Sequence, residues 1–187
     1  MREREPSYEI DFRVDVDGEV FTDVGITTPA DFAEMIEVTT GADSVEPGDV
    51  VTIDPSNARA VLKSARAHST LVAGVYSTKP GVVGSEREWD QQVPAGSPED
   101  QAGQRIPLKR PDMARLYDEV PVAVVGIVPC KVSAENGPIQ PGDLLVTSGT
   151  PGHAMRADAP SVGTVVGKAL DSLANGTGKI RILVTLQ

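Results

Sequence analysis

A duplicated segment constrains the fold of this chain more than any other feature of its sequence. The run Pro-Gly-Asp-Val-Val at 47–51 returns 94 residues later as Pro-Gly-Asp-Leu-Leu at 141–145. Two further pairs of apolar segments follow these runs: 60–63 with 154–157, and 72–75 with 165–168. The first pair begins 13 residues after each proline, and the glycines of the second pair lie 26 and 25 residues after the turn glycines. Spacings that agree to within one residue indicate an internal repeat.

Each repeat is predicted to run turn, strand, loop, strand, loop, strand. Proline presets φ for a turn, glycine supplies a position with positive φ, and aspartate accepts hydrogen bonds from nearby backbone N–H groups. Asp49 and Asp143 are therefore predicted to be turn residues, and an apolar strand follows each of them. The two units are predicted to pack as a compact, pseudo-symmetric β-barrel or sandwich that shares one core.

The composition supports a β fold. Valine is the commonest residue with 25 copies, whereas aromatic residues make up only 4% of the chain. β-Branched side chains favour pleated, half-buried surfaces, and 18 glycines and 15 prolines supply the turns between strands. The sequence therefore predicts a mostly β protein with little helix.

An N-terminal β-hairpin is predicted ahead of the first repeat. Phe12, Val14 and Val16 alternate with polar residues, and Asp17-Gly18 is a strong signal for a tight turn.

The chain divides into an N-terminal arm and one duplicated domain. Residues 1–30 are predicted to form a strand or hairpin arm, and residues 31–187 the duplicated β domain. A polar insertion rich in proline and glycine, at about 84–119, separates the repeats and holds the only tryptophan, Trp89. An excursion of this length is typical of a functional or mobile loop.

Charge and composition exclude several classes of function. The net charge of −10 would repel a phosphate backbone, so no nucleic-acid partner is predicted. No apolar stretch approaches the length of a membrane span, and the charged N-terminus lacks the apolar core of a signal peptide. The lone Cys130 is predicted to be a buried small side chain rather than a nucleophile. His68 and His153 belong to no Cys/His cluster, so neither a metal nor another cofactor is predicted.

The acidic heptad at 31–37, Asp-Phe-Ala-Glu-Met-Ile-Glu, supplies the candidate catalytic residues Asp31, Glu34 and Glu37. On a helix, Asp31 and Glu34 would lie on one face, with Glu37 a turn further on. Crowded carboxylates push each other's pKa values apart, which suits acid–base cleavage of an amide. The same spacing also fits a helix-capping box, in which the acids bond backbone N–H groups and have a structural role only.

The order of these elements resembles a known family. The motifs lie, in chain order, at 14–20, 30–37, 47–49, 72–81, 120–123, 136–145 and 162–170. Together they resemble the intramolecular-chaperone, autoproteolytic domain found at the C-terminal ends of phage neck appendages and tail fibres. The resemblance runs from about residue 12 to the end, and the Ala-Asp-Phe-Ala-Glu-Met-x-Glu run at 30–37 is its most specific part.

The resemblance implies a module that trimerises below a fibrous shaft, helps that shaft to assemble and, in some members, cuts itself free. The cut in the family falls beside the acidic segment, with carboxylates as the catalytic groups. Carried over to this chain, the scissile bond lies near Ala30–Asp31, and Asp31, Glu34 and Glu37 are the candidates. Only thirty residues precede Asp31, so release of a long shaft within this chain is not expected.

Two hypotheses of different class follow from the resemblance. The first is a structural and assembly module of a viral tail fibre, appendage or virion surface, acting as a homotrimeric folding and capping domain. Its partners would be other virion or fibre proteins and a host-surface receptor, and its location the virion. The alternative is a self-cleaving chaperone endopeptidase that cuts near Ala30–Asp31.

Overall fold

The computed structural model describes residues 12–14, 20–22, 31–84 and 118–186, and β-strands dominate these residues. The strands are β1 (Phe12–Val14), β2 (Val20–Thr22), β3 (Asp31–Val38), β4 (Val50–Ile53), β5 (Ala60–Lys63), β6 (Val72–Tyr76), β7 (Val82–Gly84), β8 (Glu119–Ser133), β9 (Leu144–Thr147), β10 (Ala154–Arg156), β11 (Val165–Ala169) and β12 (Thr177–Thr185). Two single turns of 3-10 helix, Ala42–Ser44 and Ala134–Asn136, are the helical segments in this part of the chain. The predicted mostly β fold is confirmed.

The predicted N-terminal hairpin is present as a separate two-stranded sheet. β1 and β2 pair antiparallel, with Phe12 opposite Thr22 and Val14 opposite Val20. The predicted Asp17-Gly18 turn lies outside the described residues.

The predicted insertion begins and ends at described strands, because β7 ends at Gly84 and β8 begins at Glu119. Residues 85–117 between them, including Trp89, lie outside the described residues. The division into an arm, a duplicated domain and an insertion therefore stays a prediction.

The other ten strands form one mixed sheet that closes on itself twice. One closed ring runs β8, β6, β4, β5, β3 and back to β8. The second runs β8, β12, β11, β9, β10 and back to β8. The long strand β8 serves both rings, since β3 pairs with its residues 119–126 and β12 with its residues 125–133. The barrel prediction thus takes the form of two five-stranded rings that share a strand.

The two rings repeat the same strand pairings in the same chain order. We define the first unit as β3, β4, β5, β6 and the first half of β8, and the second unit as the second half of β8, β9, β10, β11 and β12. In each unit the first strand is antiparallel to the fifth and parallel to the third. The second strand is antiparallel to the third and the fourth, with a bulge at the same place in both units. The predicted duplication is confirmed, and it extends to a first and a fifth strand that sequence spacing misses.

The predicted turns have nearly identical geometry in the two units. The Asp49 N–H donates to the Glu46 carbonyl at 2.9 Å, and the Asp143 N–H donates to the Gln140 carbonyl at 3.1 Å. Each aspartate carboxylate accepts a second bond, at 2.8 Å, from the N–H of that same Glu46 or Gln140. The turn glycines have φ of 97° and 94°, as a Pro-Gly turn with glycine at its third position requires. Both aspartates are turn residues, as predicted.

The core is made mainly of aliphatic side chains in two large clusters, with a small third cluster of Val146, Met155 and Ala157. The cluster of the first ring consists of Val38, Val45, Val51, Val61, Val120 and Val122. The larger cluster fills the second ring and also takes in Val50, Val75 and Ala123 of the first unit. Cys130 lies in this larger cluster with no exposed surface, and burial raises the pKa of its thiol, as expected of a structural cysteine. The shared cluster joins the two rings into one packed block.

Candidate functional site

The acidic heptad lies on strand β3, not on a helix. β3 pairs along its length with β8, while its other edge pairs with β7 and then with β5. Sheet neighbours on both edges supply backbone partners that override a local helical spacing. The helical arrangement and the capping box predicted from Asp31 and Glu34 are therefore both wrong.

A strand separates the three acids that a helix would have gathered. Successive side chains of a strand point to opposite faces, so Asp31 and Glu37 share one face while Glu34 lies on the other. At about 3.3 Å per residue, Asp31 and Glu37 are about 20 Å apart along the strand. The structure brings no two of the predicted catalytic carboxylates together into a crowded cluster.

Asp31 is the unusual acid of the three. It begins β3, is 7% exposed, and its Oδ2 atom has no hydrogen-bond partner in the described part of the chain. Its main-chain carbonyl accepts a bond from the Gly81 N–H at 2.9 Å. A buried polar oxygen without a partner is costly, and such groups mark sites of stored strain or chemistry.

The other two acids have structural neighbours. Glu34 lies against β7, where a side chain at Gly84 would collide with the Glu34 carboxylate. Glu37 lies directly opposite Glu119 of β8 and accepts a bond from the Asn57 side-chain amide at 3.4 Å. These contacts place Glu34 and Glu37 within sheet packing rather than beside Asp31.

A second polar site, which sequence reasoning missed, lies where the two units meet. The Asp49 carboxylate is 1% exposed and is held by two ammonium groups, Lys131 at 2.7 Å and Lys63 at 3.0 Å. Glu46 reaches the same Lys131 ammonium at 2.6 Å, and Lys179 donates to the Pro47 carbonyl at 2.8 Å. We call Glu46, Asp49, Lys63, Lys131 and Lys179 the junction cluster.

The junction cluster favours the charged forms of Asp49 and Lys131. Burial raises the pKa of Asp49, but hydrogen bonds from Lys131, the Glu46 N–H and Lys63 outweigh it, so the pKa lies below its ordinary value. Burial alone would lower the pKa of Lys131, but its bonds to Asp49 and Glu46 raise it above its ordinary value. A fixed ion pair of this kind fastens one element to another and is unsuited to proton transfer near neutral pH.

No pattern in the sequence could have predicted the junction cluster. Lys63 and Lys131 lie 14 and 82 residues beyond Asp49, so no local spacing links them. Among the described residues, no group of three or more His, Cys, Asp or Glu side chains could hold a metal ion.

An apolar stripe lies on the outside of the molecule beside Asp31. It consists of Phe32, Val82, Val125 and Ile127, each between 38% and 51% exposed. Phe32 lies directly opposite Val82 on β7 and Val125 on β8, and Ile127 is two residues further along β8. Neighbouring exposed apolar side chains of this kind mark a contact surface.

No helix in the part of the chain that the structure describes is long and apolar enough to cross a membrane.

Comparison with known proteins finds a similar fold in a phage protein. No protein-family model and no curated protein sequence matches this chain. A solved structure described as the pre-mature bacteriophage phi29 gene product 12 superimposes with a TM-score of 0.62 at 15% sequence identity. The match covers 94% of this chain and 24% of the phage protein, so this chain spans about a quarter of that protein's length. The two proteins share a fold over nearly the whole of this chain.

Proposed function

We propose that this chain is a structural and assembly module of a phage-like tail fibre, appendage or virion surface, in which three copies fold together and cap the assembly. The observation that carries the proposal is the fold shared with a phage protein over 94% of this chain. The order of sequence motifs supports the same class independently, because it resembles a family of phage chaperone domains. Other virion or fibre proteins and a host-surface receptor are the partners that this role implies.

The architecture suits a structural role. Two small rings share β8 and a common core, and the junction cluster fastens the first turn onto the second unit. A rigid block of this kind transmits load and holds a fixed shape, because packed interiors deform little.

The apolar stripe supports self-association. Copies that each carry a net charge of −10 repel one another over most of their surface, whereas the four stripe residues are uncharged. A surface of this kind lets copies meet without bringing like charges together, and closed symmetry is usual for such contacts. We assign the stripe to the contact between the three copies.

The trimer is tested by replacing Val125 with glutamate. Val125 is 51% exposed and lies in the stripe, so the change should leave the monomer folded while burying a charge at each contact. Unpaired buried charges cost several kcal/mol, so assembly is expected to weaken by about a hundredfold or more. Native mass spectrometry at micromolar concentration measures the subunit number.

Ile53→Glu is the matched control, since Ile53 is 49% exposed on a strand outside the stripe. This variant should keep the wild-type subunit number. A monomeric wild type would refute the trimer, and a trimeric Val125→Glu protein would refute the assignment of the stripe.

Self-cleavage near Ala30–Asp31 is the second candidate function, favoured by the unpartnered buried carboxylate oxygen of Asp31. The carboxylate would activate water or attack the neighbouring backbone carbonyl. Because Glu34 and Glu37 lie apart from Asp31 on the strand, Asp31 is the primary candidate and the two glutamates are secondary.

Cleavage is tested by incubating the purified chain and measuring its mass. If the chain cuts itself, the wild type yields a fragment that begins at Asp31, and Asp31→Asn yields none. Glu34→Ala and Glu37→Gln are then expected to cut at near the wild-type rate, since neither acid adjoins Asp31. If the wild type stays intact after prolonged incubation, self-cleavage is refuted and only the proposed assembly role stands.

A further inference from the structure

The described part of the chain contains two asparagine–glycine steps, Asn136-Gly137 and Asn175-Gly176. Such a step can modify itself, because glycine has no Cβ atom to crowd its main-chain nitrogen. That nitrogen attacks the carbonyl carbon of the asparagine side chain and forms a cyclic succinimide. The bond from this carbon to the side-chain nitrogen breaks, the proton of the glycine N–H passes to that nitrogen through solvent, and ammonia leaves.

Water then opens the succinimide at one or the other of its carbonyl groups. One product is aspartate, and the other is isoaspartate, in which the main chain runs through the former side chain. Water is the only co-reactant, and either product has a carboxylate where a neutral amide stood. A group that is hydrogen-bonded in the folded chain must give up that bond before it reacts, so the fold decides which step is modified.

The fold holds both reacting groups of the Asn136-Gly137 step. The Asn136 side-chain amide donates to the Arg156 carbonyl at 2.9 Å. The Gly137 N–H donates to the Ala134 carbonyl at 3.0 Å, at the end of the 3-10 turn Ala134–Asn136. Both bonds must break before the glycine nitrogen can reach the side chain, so the fold protects this step.

The Asn175-Gly176 step has neither restraint. Within the described residues, neither the Asn175 side chain nor the Gly176 N–H has a hydrogen-bond partner. Gly176 has a φ of 68°, and a Cβ atom placed on it would have no neighbour within 4 Å, so the succinimide has room to form. Asn136 and Asn175 are both exposed to water, so hydrogen bonding rather than solvent access distinguishes the two steps.

We propose that Asn175 is a self-modification site, at which the folded chain slowly forms aspartate or isoaspartate while Asn136 is preserved. The step lies between β11 and β12, where the Gly176 carbonyl accepts a bond from the Ala134 N–H at 2.8 Å. Isoaspartate adds one carbon to the main chain just before this anchored residue, so it should loosen the contact between the loop and the turn after β8. The reaction proceeds within one copy, so it is independent of the proposed assembly role.

Incubation of the purified folded chain in mildly alkaline buffer, followed by peptide mapping with mass spectrometry, tests the proposal. Replacement of the amide NH2 by OH raises the mass of the affected peptide, and the two steps are read separately. Modification at Asn175 is expected to be about tenfold or more faster than at Asn136, since two hydrogen bonds oppose the reaction at Asn136. Asn175→Gln should abolish the signal at that position, because glutamine must close a larger ring.

The same chain unfolded in urea is the matched control, because both steps then lose the contacts of the fold. The two asparagines should be modified at similar rates in urea. Unequal rates there, in the order seen in the folded chain, would show that neighbouring residues rather than the fold protect Asn136. A folded chain in which Asn175 stays intact, or in which Asn136 is modified as fast as Asn175, would also overturn the proposal.

Discussion

Replacing Asp49 by alanine is expected to lower the free energy of unfolding by about 3 kcal/mol. The substitution removes the buried counter-charge of two partly exposed ammonium groups, Lys131 and Lys63, and leaves Lys131 with Glu46 alone. Removing one partner of a buried ion pair costs about 3–5 kcal/mol, and the partial exposure of both lysines places this loss at the lower end of that range. It also removes the bond that the carboxylate accepts from the Glu46 N–H. Urea unfolding of the wild type and the variant measures the difference.

Asp143→Ala is the matched control, because Asp143 makes the same turn bond to the Gln140 N–H without a cation beside it in the described structure. Loss of that bond alone should cost about 1 kcal/mol. Equal losses for the two alanine variants would show that the junction cluster contributes nothing beyond its turn.

Asp49→Asn separates charge from turn geometry, since asparagine still accepts the Glu46 N–H. Because the pKa of Asp49 is lowered in the folded chain, its ion pairs stabilise the fold above the unfolded value of about 3.9. That stability is lost as the pH falls through the lower folded pKa. The difference in the free energy of unfolding between wild type and Asp49→Asn should therefore be largest at neutral pH and become smaller in acid.

The repeated turns are predictable from sequence because their geometry is local. Proline, glycine and aspartate each impose a backbone preference within four residues, and no distant partner is needed to satisfy it. The apolar strands follow from the same local pattern, so the three central strands of each unit can be located by spacing alone.

The first and last strands of the units are not visible as a repeat. Val38 and Val132 occupy equivalent positions, since each is a core residue of its unit's first strand and lies beside that unit's third strand. Their neighbours Glu37 and Lys131 have opposite charge, which hides the likeness of β3 to the second half of β8. One long strand also serves as the end of one unit and the start of the next, and sequence spacing gives no sign of this sharing.

The acidic heptad misleads for a related reason. Spacing of acids at every third residue suits a helix, but the fold is decided by what lies beside the segment. β8 covers one edge of β3, and β5 and β7 cover the other, from positions 22 or more residues away in the chain. The local pattern contains no information about those partners, so the candidate site changes from a carboxylate cluster to the single buried Asp31.

The largest steric effects are expected at two equivalent glycines, Gly74 and Gly167. A Cβ atom at Gly74 would collide with the carbonyl oxygen of Ala123, and one at Gly167 with the carbonyl oxygen of Leu183. Both obstacles are backbone atoms of the paired neighbouring strand, so the strands themselves must separate to admit a methyl group. Each alanine substitution is expected to cost about 3 kcal/mol or more, because a packed sheet cannot shift without losing its ladder.

Gly163→Ala separates this collision from ordinary glycine strain. Gly163 has a φ of 85°, but a Cβ atom added there would have no neighbour within 4 Å, so only a backbone cost of about 1 kcal/mol applies. Urea unfolding should give Gly74→Ala and Gly167→Ala similar free energies of unfolding, both well below that of Gly163→Ala. Matching losses would mean that each ring closes through the same close approach of its fourth strand to its fifth. If either variant were as stable as Gly163→Ala, the paired strands of that ring would have space for a methyl group. The two units would then not be equivalent where the fourth strand meets the fifth.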